Sequence, residues 1–191
     1  MDAHSDIVEV HVRSFFRGHR VSAKSWKRGP LCGEGTSFRV LEVAPGPVSG
    51  LWNYVSVGAA NLPSKAGDPL EFVLAMESSS DRGIELITMV AWYHGKESLG
   101  VGHTIPVGEQ WLSGSTCDHL LVCLPYPFGP GLEAIRDSRE RARILWILPI
   151  TKAERDFKVS RGLEALESIF DSRAIRFWDV KRASVVESNA G

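Results

Sequence analysis

Ile144-Leu145-Trp146-Ile147-Leu148-Pro149-Ile150, followed at once by Thr151-Lys152-Ala153-Glu154, is the stretch on which the fold turns. Its apolar side chains leave no polar face in either alternation, the pattern of a strand covered on both sides. The next four residues read as a capping box. The Thr151 hydroxyl can accept from the Glu154 amide while the Glu154 carboxylate accepts from the Thr151 amide. A buried strand running straight into a helix N-terminus belongs to an α/β architecture.

Behind the cap, Val159, Leu163, Leu166 and Phe170 recur at helical spacing, which predicts one helix over about 152–171 with a single face on the sheet. Leu120 to Leu124 shows the same two-faced apolar pattern, so both strands are placed at the centre. Further upstream, Ser80 or Asp81 opens a helix to about His94, with Ile84, Ile87, Val90 and Ala91 along one face and Gly95 as its terminator. Phe38–Val43, Leu51–Val57 and Leu70–Glu77 read as strands, set apart by Ala44-Pro45-Gly46-Pro47 and Gly67-Asp68-Pro69. The opening residues predict an amphipathic helix over about 6–17. Their β-branched side chains leave a strand as the alternative. Val21 to Gly35 is glycine-rich, polar and basic and reads as an exposed connection, while Lys181 to Val186 reads as an ordered stretch before a frayed end. The expectation is an α/β (α+β) fold, a central mixed sheet with helices packed on its faces, forming a single domain over 1–191 with its core at about 36–186.

Composition narrows the function classes. With 22 Lys plus Arg against 23 Asp plus Glu, the formal charge is −1, which withholds the basic excess of a nucleic-acid binder. At 43% hydrophobic and 24% charged, the chain is too apolar for a disordered polar segment. No apolar run approaches the roughly 18 residues of a membrane span. Asp2, Asp6 and Glu9 stand where an export signal would be basic and then apolar. Three cysteines, Cys32, Cys117 and Cys123, make no paired framework, and with the missing leader they point to the cytoplasm.

Signatures of chemistry are sparse. Gly33-Glu34-Gly35 and Gly100-Val101-Gly102 lack the third glycine of a dinucleotide turn, and Gly114-Ser115 lacks the second glycine of a nucleophile elbow. No cofactor and no metal site is expected. The enzyme alternative, a small-molecule hydrolase or metal-dependent enzyme, would use His103, Cys117, Asp118 and His119, but zinc ligands of this kind normally come as two short pairs. If 119–124 is a strand, Cys123 shares a face with His119 and Leu121 and reads as a buried apolar residue. Glu133 and Asp137 would sit one turn apart on a helix, although Arg136, Arg139, Arg141 and Arg143 make a solvated, salt-bridged segment the simpler account.

Six tryptophans need places. Trp146 and Trp92 are assigned to the core. Trp26, Trp111 and Trp178 lie in polar or glycine-rich surroundings and are either surface anchors or edge-of-core side chains.

Three segments resemble the suppressor-of-fused family, in its bacterial single-domain members and the N-terminal domain of the animal protein. They are Gly102-His103-Thr104-Ile105-Pro106 with Trp111 and Asp118 to Pro130, ending in Leu124-Pro125-Tyr126-Pro127-Phe128-Gly129-Pro130; Leu145 to Thr151 with Glu154 and Gly162 to Leu166; and Trp178 to Val186. Leu51 to Ala59 is similar to the family's early strand, and the resemblance runs from about 36 to 186. It implies an α/β sandwich used for binding rather than catalysis. By its size the chain is expected to lack the second domain with which the animal protein clamps a transcription-factor peptide. Bacterial relatives are associated with toxin and immunity systems, so the implied role is a non-enzymatic protein-binding domain, an immunity-type or regulatory adaptor whose partner is a protein such as a cognate toxin, with neither nucleic acid nor membrane. Trp111, Asp118, Tyr126 and Phe128 are the candidate contacts, although Pro125, Pro127 and Pro130 can equally shape the exit from a buried strand.

Overall fold

A computed structural model describes residues 3–29, 31, 37–62, 69–108, 110, 112–136 and 141–187. At its centre lies the strand that opened the sequence reading, Arg141–Ile150. In chain order the elements are α1 (Ala3–Phe15), β1 (Val21–Lys24), β2 (Arg39–Val43), β3 (Trp52–Val57), β4 (Leu70–Met76), α2 (Asp81–Glu97), β5 (Thr104–Pro106), β6 (His119–Cys123), α3 (Pro130–Glu133), β7 (Ala134–Arg136), β8 (Arg141–Ile150), α4 (Lys152–Arg161) and α5 (Leu163–Arg173). The strands form one mixed sheet in the order β1-β2-β3-β4-β8-β6-β5, with β7 also paired to β8.

β8 runs parallel to β4, from Leu70 opposite Arg143 to Val73 opposite Trp146, and antiparallel to β6, from Cys123 opposite Trp146 to His119 opposite Ile150. Pro149 breaks the general rule against proline in a central strand. It lies beyond the last β4 partner, where β8 has a paired neighbour on one side only.

Alternate side chains feed two cores. Leu145, Ile147, Phe72, Leu74, Leu120 and Val122 face α2, whose Ile84, Ile87, Val90 and Ala91 cover them. Ile144, Trp146, Leu148, Val55, Val73 and Leu121 face the other way, toward Val8 and Val12 of α1 and Leu166 and Phe170 of α5. Helices therefore lie on both faces of the sheet.

Several expectations need correction. The helix over 152–171 is two helices broken at Gly162 (φ 92°, ψ 165°), a backbone conformation that suits glycine. The break turns Val159 out to 67% exposure, while Leu166 and Phe170 stay buried. The connection from Val21 contains a strand, β1, whose ladder runs from Val21 opposite Val43 to Lys24 opposite Val40. Gly95 does not stop α2, which ends at Ser98 in the left-handed region (φ 53°). The stop there is made by buried His94, whose Nδ1 accepts the Leu99 amide at 3.0 Å, and burial lowers the imidazole pKa so that this lone pair stays free. Trp92 lies on the outer side of α2 at 39% exposure rather than in the core. Glu133 closes a single helical turn before β7 and pairs with Arg143 (Nη2–Oε1 2.6 Å); Asp137 and Arg139 lie outside the described residues.

A carboxylate inside β4 is accommodated by the chain around Gly58. Fully buried Glu71 accepts hydrogen bonds from Ser56 Oγ and from the amides of Gly58, Ala59 and Ala60. Gly58, at φ 97°, aims these successive amides at one point. Burial still pushes the carboxyl pKa up against the four donors.

Candidate protein-binding face

The segment Leu124-Pro125-Tyr126-Pro127-Phe128-Gly129 leaves β6 and folds back on itself. The Tyr126 amide donates to Leu124 O (2.8 Å), and the amides of Phe128 and Gly129 both donate to Pro125 O (2.9 Å each). Prolines fix φ on either side of Tyr126. Phe128 is held edge-on against Phe16 and Phe15, with centroids 5.8 and 6.3 Å apart, and so ties the loop to α1. Tyr126 points the other way. It is 58% exposed, and its hydroxyl donates to the Glu167 carboxylate on α5.

The second part of the face comes from the chain after α5. Phe177 meets the edge of Trp146 on one side and Trp178 on the other, each with centroids 4.8 Å apart. Trp178 is kept in place by its neighbours, since Val180 O accepts the amides of Thr116 (2.9 Å) and Cys117 (3.2 Å). Two residues further on, Arg182 is anchored on Glu154.

These segments make one continuous relief. Pro127 and Phe177 line both the groove beneath α5 and a shallow depression reaching Val48 and Leu51. Glu77 and Trp178 line that depression and a further hollow that includes Leu112 and Lys181. Exposed or half-exposed aromatic side chains on a rigid base are the composition in which interface energy concentrates.

Of the four contacts named from sequence, Tyr126 and Phe128 come together here, with Phe128 as the support beneath Tyr126. Asp118 does not join them. It precedes β6 while the loop follows it, so the strand separates them by about 17 Å at 3.3 Å per residue. There its carboxylate meets His119 Nδ1 at 2.8 Å. Trp111 lies outside the described residues. Trp26 packs half-buried against the α2-side core, the edge-of-core alternative, and Trp178 lies half-buried on the face. Phe177 and Glu167 were not singled out from sequence, and the Phe177-Trp178 pair was the one local sign of this part of the face.

The residues of the enzyme alternative do not assemble into a reactive centre. Cys117 is buried, which pushes its thiol up to about 11 and keeps it protonated at neutral pH. His103 is exposed, with Nδ1 accepting the Gly100 amide at 3.1 Å. Among the described residues no group of three or more His, Cys, Asp and Glu side chains is placed to hold a metal ion. Cys123 is buried on β6, as its strand position predicts, with its thiol pKa also raised by burial. Among the described residues no helix is long and apolar enough to cross a membrane.

A two-sided α/β sheet with an aromatic relief beyond the ends of its strands defines a recognition scaffold, and comparison with known proteins says which one. Residues 35–183 match the family model of the suppressor of fused protein (SUFU), and the chain belongs to that family. It is 25% identical over 165 residues to the immunity protein YqcF of Bacillus subtilis (strain 168), covering 80% of this chain and 84% of that one. The crystal structure of a putative SUFU homolog from Neisseria gonorrhoeae superposes with a TM-score of 0.81 at 30% identity, over 96% of this chain and 97% of that chain. A chain of a Sufu–Fu complex shares the fold, with a TM-score of 0.62 at 14% identity over 95% of this chain and 91% of that one. The suppressor-of-fused resemblance and the mixed α/β architecture expected from sequence are both borne out.

Proposed function

We propose that the chain works in the cytoplasm as a single suppressor-of-fused-like domain that binds and neutralises a cognate protein toxin without catalysing a reaction. The observation that carries this reading is the rigidly backed aromatic relief of Tyr126, Pro127, Phe177 and Trp178, three of whose four side chains are aromatic and lie outside the packed centre of the sheet. The name of the Bacillus relative, an immunity protein, supports a toxin as the partner. Tyr126 and Trp178 are the proposed contacts, Phe128 positions Tyr126, and Asp118 serves a separate surface at the far end of β6.

The test is co-expression of the full chain with each protein encoded beside its own gene. The expected result is one neighbour that inhibits growth alone, loses that effect in the presence of this chain, and co-purifies with it as a stable complex. Toxicity unrelieved by the chain, with no complex formed by any neighbour, overturns the reading.

A further inference from the structure

The groove beneath α5 has a chemistry of its own. Its volume is about 440 Å³, room for one or two side chains of a partner. Leu121, Trp146, Leu148, Phe170 and Phe177 line it, together with Glu167 and Asp171 of α5. Among the described residues no lysine or arginine lines it.

Two polar atoms on side chains lining this trough have no hydrogen-bond partner among the described residues. Trp146 is 5% exposed, and its indole Nε1–H is buried with no acceptor. The Oε1 atom of Glu167 is buried without a donor among the described residues, and the Tyr126 hydroxyl is a hydrogen-bonding neighbour of that carboxylate. Buried donors and acceptors are nearly always satisfied, because leaving one unmade costs about 1–3 kcal/mol. A donor and an acceptor left unsatisfied on two side chains that line the same groove suit an occupant that supplies the opposite of each once the side chains turn toward it. The acceptor side carries two carboxyl groups, Glu167 and Asp171. Burial raises the Glu167 pKa, the Tyr126 hydroxyl works against that, and the charges of Asp171 and Glu164 raise it further, with no cation offsetting them.

We propose that the groove is the seat of a lysine or arginine side chain presented by an apolar segment of a partner protein. The aliphatic stem lies along Leu148, Phe170 and Phe177, the cationic head meets Glu167 and Asp171, and a backbone carbonyl of the same segment accepts the Trp146 indole N–H. Long basic side chains suit such a site because they pair an apolar stem with a charged tip. This rests on the protein-binding reading above and adds the chemistry by which the partner is recognised.

Short random peptides displayed on phage and selected on the full chain test it. Enrichment of a Lys or Arg flanked by apolar residues is expected, and the winning peptide should bind at least about tenfold more tightly than its norleucine analogue, as a desolvated charge pair requires. Its titration should move the NMR resonance of the Trp146 indole N–H. Glu167→Gln keeps the side-chain shape and should abolish the preference for the cation; exposed Asp171→Asn, which spares the half-buried position, should weaken it. Enriched peptides without a cation, no enrichment at all, an unmoved Trp146 resonance, or equal binding by Glu167→Gln each overturns the groove assignment. A toxin complex that forms normally with Glu167→Gln leaves the protein-binding reading standing while this proposal falls; cationic peptides seated at Trp146 with no neighbouring protein bound does the reverse.

Discussion

Arg182 grips Glu154 with both arms of its guanidinium, Nη1 to Oε1 at 2.5 Å and Nη2 to Oε2 at 2.8 Å, in a setting where Glu154 is fully buried and the Arg182 side chain is 8% exposed. The same carboxylate accepts the Thr151 amide at 2.9 Å, completing the capping box, and the Val185 amide at 3.1 Å. One carboxylate thus fastens the start of α4, the end of β8 and the returning tail. Because that tail carries Phe177 and Trp178, the pair also holds the candidate face together.

Arg182→Ala should cost about 3 kcal/mol or more, because it strands a buried carboxylate without its cation. Urea unfolding measures it. Combining Arg182→Ala with Glu154→Gln should cost clearly less than the sum of the two single changes, since the unpaired charge is removed along with its partner. Additive losses would mean that the two residues act independently. Arg182→Lys should recover only part of the stability, because one ammonium cannot reproduce the parallel two-armed contact.

Gly83, in the first turn of α2, tests how tightly that helix sits on the sheet. A Cβ there would lie 2.5–2.7 Å from ring atoms of Tyr54. Tyr54 is fully buried and fixed at its hydroxyl, which accepts the Ser80 amide at 2.8 Å, so the ring cannot swing aside. Helix propensity alone would make Gly83→Ala stabilising by up to about 1 kcal/mol. The clash should win, giving a net loss of about 1–3 kcal/mol in thermal or urea unfolding. A neutral or stabilised variant would show that α2 has room to lift.

The parts of this architecture that were legible from sequence are those set by neighbours in the chain. Thr151 and Glu154 find each other across a single turn, and the continuous apolar run of β8 needs only a count of polar positions to be read as buried on both faces. The break at Gly162 escaped detection because Val159, Leu163, Leu166 and Phe170 keep helical spacing across it, although Val159 is exposed and Leu163 only partly buried. β1 was missed because the alternation of Val21-Ser22-Ala23-Lys24 is only four residues long inside a polar, glycine-rich stretch, and the strand is defined by its ladder to β2. At the face, Tyr126 could be found because the Leu124 to Pro130 segment carries the family resemblance. Glu167 and Phe177 come from segments about forty or fifty residues away and gain meaning only when the tail folds back over β8.

Tyr126 and Phe128 are two residues apart and should separate binding from stability. Tyr126→Ala removes a side chain that is 58% exposed and should change unfolding free energy by about 0.5 kcal/mol or less. The same change should weaken the partner complex about tenfold or more if the ring is a central anchor. Phe128→Ala removes the contacts with Phe15 and Phe16 and should cost about 1–3 kcal/mol of stability, with any loss of binding following from the loosened loop. Calorimetric titration and urea unfolding of both variants decide this, and equal destabilisation by the two would remove the distinction.

α1 is fastened to the sheet by an ion pair that acid should release. Glu9 on α1 takes the Arg39 Nε of β2 at 2.7 Å through Oε2, and the Arg13 Nε at 2.7 Å through Oε1. Partial burial works to raise the Glu9 pKa, but the hydrogen bonds and charges of the two arginines outweigh it and hold the carboxyl below its ordinary 4.5. A carboxyl with a lowered folded-state pKa contributes stability that is complete above about pH 4.5 and disappears as the pH falls through the folded-state value. Glu9→Gln should therefore be less stable than the parent at neutral pH, and the gap should narrow only below about pH 4.5. Urea midpoints of both proteins between neutral pH and about pH 3 give the curve. A gap that stayed constant through that acid range would show that Glu9 holds α1 by shape rather than by charge.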